Sequence, residues 1–511
     1  MSELELIIVL FVAAVLLAAA ARRVGAPYPV FLALGGVVIG FVPGAPSLSV
    51  PPDLALALFV APVLLDAAHD ASTRDLKDNW APVTGLVVFA VGLTTAAVAV
   101  ITRALIPEVP WPAAIALGAV VAPPDAVATT AVLRQLRPPH RILTILEGES
   151  LFNDATALLI YRLAVGAAAA GSFSVGSVAP AFLLGVAGSL VVGPVLGWLT
   201  VRLLQRVQHV PSAIILQFVS AFGVWMLAEH AGLSAVLTTV CFAITTARAP
   251  ELVPARIRIP TYAVWETAVF ALNVLAFIFI GLQIRPILAD LDATELGRYL
   301  AVAGAVLVTV IVVRAAWHMS FNAIVRWRHR RFGFNPPRPL LRPTAGSGLL
   351  ISWAGMRGIV TLAAAMALPT EFPFRELILL TAFAVVLGTL IIQGLTLKPL
   401  LRWLDLRDDD PVGRETQVAR ERALDAGLRA IAGDQSNTAN AVRLQLKAAL
   451  ASDNNPAATR VAERTANLHL QAVDAARQAV LHMRTTDEIG DDAFHAVEEQ
   501  LDRFEATLGS E

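Results

Sequence analysis

The chain has 511 residues, of which 56% are hydrophobic and only 15% charged, with a mean hydropathy of +0.67. A soluble globular domain carries about 25% charged residues, so this composition excludes an ordinary soluble protein, and a net charge of −1 leaves no electrostatic footprint for nucleic acid. The single cysteine, Cys241, excludes an internal disulfide and any cysteine-based metal cluster.

Apolar blocks of roughly 17–28 residues, the length a bilayer demands, run from residue 3 to residue 404 between Pro, Gly and Arg breaks. The first, over residues 5–20, lacks the basic leader of a signal peptide and is followed by more such blocks, so it reads as a membrane helix. The twenty-residue rule gives about thirteen spans, centred near residues 12, 35, 60, 92, 122, 153, 190, 220, 239, 273, 310, 357 and 389, with those near 60 and 239 short. Beyond residue 405 the composition turns polar. The expected fold is an all-α polytopic membrane protein, with a transmembrane domain over residues 1–405 and a cytoplasmic helical tail over 406–511.

Loop charges alternate along the chain. One set holds Arg22, Arg23, Arg74, Lys77, Arg134, Arg137, Arg141, Arg202, Arg206, Arg248, Arg256 and Arg258, then the RWRHRR run ending in Arg331, Arg338 and Arg342. The opposite set holds little beyond Arg103, Arg285, Arg298 and Arg375. Roughly eighteen basic residues against four place the first set in the cytoplasm. The N-terminus is therefore expected outside and the C-terminal tail inside.

Few ionisable groups remain within the spans: Asp66, Asp125, Glu147, Glu149, Asp154, Arg162, Glu229, Glu266, Arg314 and Arg357. A carboxylate in hydrocarbon costs several kcal/mol unless protonated or paired, so each is an ion or proton site by default. Glu229 and Glu266 are assigned to span ends, where they snorkel, and Arg162 to an interface anchor. The fifth span reads GAVVAPPDAVATTAV. Pro123 and Pro124 cannot continue a helix, and a break in mid-membrane is tolerated only where it lines a cavity. Asp125 follows that break, with Thr129 and Thr130 one turn on.

The sixth span holds EGESLFNDATALLIY. Glu149 and Asn153 are four apart, as are Ser150 and Asp154, while Glu147 and Asp154 are seven apart, so all lie along one polar stripe. Hard oxygen ligands with a titratable carboxylate suit Na⁺ or K⁺. The twelfth span, SWAGMRGIVTLAAA, places Gly355 and Gly358 around Arg357, a second interruption. Two broken helices in corresponding halves are the sign of a transporter with inverted repeats. The tail has helical spacing, with Leu468, Ala472, Val473, Ala476, Val480 and Met483 on one side and a break at DNNP, 453–456.

PPDAVA (123–128), GESLFNDA (148–155), FIFIGLQ (277–283), GMRGIVTLA (355–363) and QGLTLKPL (393–400) together resemble bacterial sodium/proton antiporters of the NhaP and NHE type, in the YjcE-like subgroup. The match spans about residues 5–405. It implies inverted repeats whose broken helices cross, and Asp154 as the essential carboxylate with Asn153 as partner. It further implies Ser150 as a hydroxyl contacting the cation, and Asp125 at the helix crossing. Asp154, Asp125 and Ser150 would thus hold the transported ion. Asp66 falls on the acidic residue of the cytoplasmic funnel, and Glu147 is assigned there with it. Glu149 and Arg314 match a buried ion pair. Arg357 matches a basic residue that offsets helix-end dipoles and carboxylates. Many relatives carry Thr where Pro124 stands, so position 124 can coordinate only through its carbonyl.

The implied activity is exchange of Na⁺, or else K⁺ or Li⁺, for H⁺ in pH and sodium homeostasis, one for one because position 153 is Asn. Desolvation disfavours a charged carboxylate, so such a site takes a proton or a cation by turns, and acid on both sides is expected to inhibit. No enzymatic chemistry and no cofactor are expected. The partners are membrane lipid and, by resemblance, a second copy in a homodimer of the cell membrane. An ion channel or sensor on the same fold is disfavoured by the lack of a Gly-Tyr-Gly filter, and an intramembrane protease by the lack of H-E-x-x-H.

Overall fold

A computed structural model describes the chain except for residues 1–2, 25–26, 43–50, 71–73, 75–78, 126–128, 130–132, 134–137, 171–174, 249–252, 254, 290, 292, 334–343, 407–410, 441, 445–470, 473–474, 484, 487–496, 498–500 and 502–511. Thr130, Leu468, Val473 and the DNNP segment lie outside the described residues. Two compact units divide the chain, Met1–Asp409 and Asp410–Glu511.

The first unit is helical throughout, with no strand among the described residues. Its helices are α1 (Glu3–Val24), α2 (Tyr28–Gly40), α3 (Pro52–Asp70) and α4 (Trp80–Leu105). Next come α5 (Trp111–Val121), α6 (His140–Ala170), α7 (Val175–Leu204), α8 (Val210–His230) and α9 (Ala235–Ala247). The series ends with α10 (Ala255–Leu282), the short α11 (Ile284–Ala289), α12 (Ala293–Phe332), α13 (Ala345–Trp353), α14 (Ile359–Met366) and α15 (Arg375–Leu404). Among the described residues seven helices are long and apolar enough to cross a membrane, and Tyr28–Gly40, Leu54–Ala68, Trp111–Val121 and Ala235–Ala247 are shorter apolar helices. Every expected centre falls inside a helix or, near 122 and 357, at a break.

Local chemistry sets the helix ends. Pro29, Pro112 and Pro211 stand in first turns, where a missing N–H costs nothing. Gly232, at φ +69°, closes α8 with Leu233 N–H donating to Ala228 O at 2.9 Å and Gly232 N–H to Glu229 O at 3.1 Å, a turn that needs a left-handed residue. Thr344 and Ser347 form a reciprocal capping box at the start of α13. Some basic residues assigned to loops prove to be helical: Arg22 and Arg23 end α1, Arg141 begins α6, and the RWRHRR run is the last part of α12. Their long stems and charged ends let a helix run past the hydrocarbon into the headgroups.

Packing relies on small residues, because apolar side chains gain little by leaving lipid for one another. A Cβ at Gly36 would lie inside the Ile278 carbonyl, and one at Gly281 inside that of Ala33, so α2 and α10 touch backbone to backbone. Gly118 lets α5 close on the Thr95 carbonyl of α4, and Gly193 lets α7 close on Thr238 of α9, with prospective Cβ distances of 2.5 and 2.6 Å. Within α4, residues Gly85–Ala90 widen into a π-helical turn. The Trp317 indole donates to the Gly85 carbonyl there at 3.1 Å, taking up an acceptor that the wider turn leaves available.

The second unit opens with α16 (Pro411–Ala430). Asp434 follows it, accepting the Ser436 backbone N–H at 2.8 Å. That bond, joined by the Ser436 hydroxyl, holds the Asp434 carboxyl below the usual carboxylate range. Arg443 then folds back onto the Ile431 carbonyl at 2.7 Å.

Candidate functional site

Both expected interruptions are present, and they meet. Helix α5 ends at Val121, and the chain from Pro123 to Asp125 is non-helical. Between α13 and α14, residues 354–358 are likewise non-helical. At the meeting point Asp125 N–H donates to Met356 O at 2.7 Å, joining the two breaks by backbone.

A broken helix leaves carbonyls without partners at its C-terminal end. Two buried arginines supply them. Arg357, fully buried, donates from Nε to Val121 O at 3.0 Å, from Nη2 to Ala122 O at 2.9 Å, and from Nη1 to Gly355 O. It thereby caps α5 from across the crossing. Arg314, on α12, donates to Ser352 O at 3.2 Å and Ile351 O at 3.3 Å, capping α13 in the same manner. Its other donors grip Glu149 of α6 in a two-pronged pair, Nη2 to Oε2 at 2.7 Å and Nη1 to Oε1. Planar guanidinium groups suit such forked contacts.

The two glycines around Arg357 make room for these charges. A Cβ at Gly355 would lie 2.5 Å from Arg314 Nε, and one at Gly358 would overlap the Asp125 carboxylate. The backbone N–H of Arg357 is itself held, donating to Thr389 Oγ1 of α15 at 3.0 Å.

The polar stripe on α6 splits between two neighbouring faces. Ser150 and Asp154 line a cavity of about 30 Å³, room for a water-sized guest. Asn153, fully buried, instead donates its amide to Pro124 O at 3.1 Å, so the carbonyl expected to face the ion already carries one hydrogen bond. Glu149 turns to Arg314, and Glu147 is half-buried and away from the cavity wall.

The remaining walls come from Pro123, Pro124 and Asp125, from Gly358 to Thr361 at the start of α14, and from the Phe59, Val60, Val63, Leu64 and Ala67 face of α3. Asp66 sits one position off that face, half-buried. Thr129 is spent on the Asp125 carbonyl at 2.9 Å. Beyond Asp154 a smaller cavity of about 10 Å³ is lined by Ala119, Val120, Pro123, Ala157, Leu158, Tyr161, Val360 and Ala364, so the carboxylate stands between two chambers. Among the described residues no cluster of three His, Cys, Asp or Glu side chains forms a resident metal centre. Glu266, assigned to a span end, is exposed about three turns into α10. Arg162 is exposed on α6.

Residues 7–403 match the family described as sodium/hydrogen exchanger, transmembrane. The chain belongs to this family. An uncharacterised Na⁺/H⁺ exchanger of Mycobacterium tuberculosis (strain H37Rv) is 32% identical over 425 residues, 80% of this chain and 76% of that protein. The sodium, potassium, lithium and rubidium/H⁺ antiporter of Bacillus subtilis is 28% identical over 506 residues, 94% of this chain and 74% of its own length. The solved structure of the sodium proton antiporter of Methanocaldococcus jannaschii at pH 8 aligns with a TM-score of 0.57 at 19% identity, over 79% of this chain and 99% of that one, which shows a shared fold.

Two contributors escaped sequence reasoning. Thr389 and Thr361 sit in apolar helices, where a threonine ordinarily bonds its own backbone or a neighbouring helix. Their only signal was position: Thr361 stands three residues past Gly358, within the first turn after the break.

Proposed function

We propose that this chain exchanges one monovalent cation for one proton across the cell membrane, with Asp154 as the shared site. The observation that carries the reading is a buried carboxylate facing a small cavity where two broken helices cross. A proton and a cation compete for its oxygens, and the competition couples the two fluxes as the loaded site is exposed to each side in turn. Asp125 and Ser150 add oxygens to the same cavity. Glu149, Arg314 and Arg357 hold the crossing by charge and hydrogen bonds. Asp66 and Glu147 supply negative charge on the approach from the cytoplasm. The N-terminus lies outside and the tail inside, an orientation that the uneven distribution of basic residues supports. The working unit is a homodimer, and the cellular role is pH and sodium homeostasis.

Na⁺ is the first cation, with K⁺ and Li⁺ as alternatives, a breadth that the name of the Bacillus subtilis relative supports. The test is dequenching of a pH-sensitive dye in proteoliposomes on addition of Na⁺, Li⁺ or K⁺. Wild type is expected to move protons with Na⁺, and Asp154→Asn to do so with none while still folding. Proton movement by that variant at the wild-type rate overturns the assignment. A response to K⁺ alone makes the chain a K⁺/H⁺ exchanger on the same site.

A further inference from the structure

The cavity beside Asp154 contains a hydroxyl that the mechanism above leaves unused. Thr361 is 2% exposed and lines that cavity together with Asp125, Asp154 and Ser150. Many helical hydroxyls in this molecule are spent on the carbonyl one turn back, and those of Thr95, Thr102, Thr239 and Thr381, which are buried without a partner, do not line this cavity. Thr238 donates to Ser234 O at 2.8 Å, Thr245 to Cys241 O at 2.7 Å, Thr309 to Ala305 O at 2.7 Å and Thr389 to Val385 O at 2.8 Å. For Thr361 the residue four back is Arg357, inside the break, where no helical carbonyl is presented. Its hydroxyl has no hydrogen-bond partner among the described residues. A buried polar group left in that state needs an explanation.

The rest of the cavity's chemistry says what is missing there. Pro124 brings no side-chain oxygen, and its carbonyl already accepts the Asn153 amide. A bare monovalent cation in so small a space must replace its water shell with protein oxygens. Among the described side chains lining the cavity, only Asp125, Asp154, Ser150 and Thr361 carry one.

We propose that Thr361 is a cation ligand and a determinant of ion preference, its hydroxyl oxygen joining Asp154, Asp125 and Ser150 around the transported ion. The proposal rests on the antiport reading. The oxygen enters from α14, so the ion ties the second broken helix to α6 and to the first break. A neutral hydroxyl adds a ligand without adding a group that titrates, which leaves one proton exchanged per cation.

The experiment uses full-length protein in proteoliposomes with a pH-sensitive dye, titrating Na⁺ and Tl⁺ against wild type, Thr361→Val, Thr361→Ser and Thr361→Cys. Valine keeps the shape and removes the oxygen. Its half-saturating Na⁺ is expected to rise about tenfold, the size of one lost contact to a charge, with the maximal rate within about twofold. Serine is expected to behave as wild type. Cysteine replaces a hard oxygen with a soft sulfur, so the ratio of half-saturating Na⁺ to Tl⁺ is expected to rise about tenfold, a change that a packing role would not produce. Half-saturation in valine equal to wild type overturns the proposal. Should the valine variant fail to fold, a cysteine variant with an unchanged Na⁺ to Tl⁺ ratio overturns it equally. Wild type that shows no cation-driven proton movement refutes the antiport reading instead, whatever occupies position 361.

Discussion

At the scale of single residues, the site is a set of charges each given one defined task, and substitutions should reveal which. Gly358 has a negative φ, so its need for glycine is steric: any Cβ would overlap the Asp125 carboxylate. Gly358→Ala is expected to leave the protein folded, since the carboxylate can swing aside, and to slow cation-driven proton flux by at least about tenfold because an oxygen of the site has moved. Size-exclusion profile and dye dequenching, measured together, check this. The Glu149–Arg314 pair makes the opposite prediction. Both groups are at most 3% exposed, so little solvent screens them. Removing one partner of such a pair costs about 3–5 kcal/mol because the other charge is stranded. Arg314→Met should be worse than Glu149→Gln, since it also uncovers the Ser352 and Ile351 carbonyls. Denaturation followed by tryptophan fluorescence would rank the two. Asp154 and Ser150 were legible in the sequence because polar groups in mid-span are conspicuous. Glu149 and Arg314 are 165 positions apart, so no local pattern pairs them and only the family resemblance led to the ion pair that is present.

At the scale of helices, the two breaks were legible because Pro123, Pro124, Gly355 and Gly358 act on their own segment of backbone. The π-helical turn at Gly85–Ala90 was not. GLVVFA carries only Gly85, a residue common in membrane helices, and the partner of its carbonyl, Trp317, lies on another helix. Reach was misjudged as well: α12 runs 40 residues, carrying the RWRHRR run as helix, because arginine is a good helix former and nothing before Gly333 stops it. Close helix contacts gave only weak hints, since a glycine in an apolar span reads alike whether it faces lipid or backbone. The α2–α10 contact offers a direct test of that geometry. Gly36→Ala and Gly281→Ala are each expected to cost about 1–3 kcal/mol by forcing the backbones apart. The double variant should cost less than the sum, because the first substitution already opens the gap that the second needs. Additive losses would mean that the two glycines do not share one contact.

At the scale of the whole molecule, the question is how much charge crosses the bilayer in a cycle. Two carboxylates, Asp125 and Asp154, line the cavity, while Asn153 cannot titrate and bonds Pro124. Arg357 and Arg314 are both committed to helix-end carbonyls, and Arg314 to Glu149 as well. If Asp154 alone alternates between proton and cation, each direction carries one positive charge and the net is zero. A residual elementary charge would couple transport to voltage by about 2.3 kcal/mol per 100 mV. That coupling would move the equilibrium ratio of ion gradients nearly fiftyfold at about 100 mV. The expected result is no movement. Proteoliposomes would be set with Na⁺ and H⁺ gradients of equal ratio in the same direction, so that the two driving forces cancel, and a potential imposed with an ionophore for an ion the protein does not carry. The internal pH dye should stay still at the same gradient ratio with and without the potential. A null point displaced in proportion to the potential would require a second titrating group, and Asp125 is the one placed to supply it.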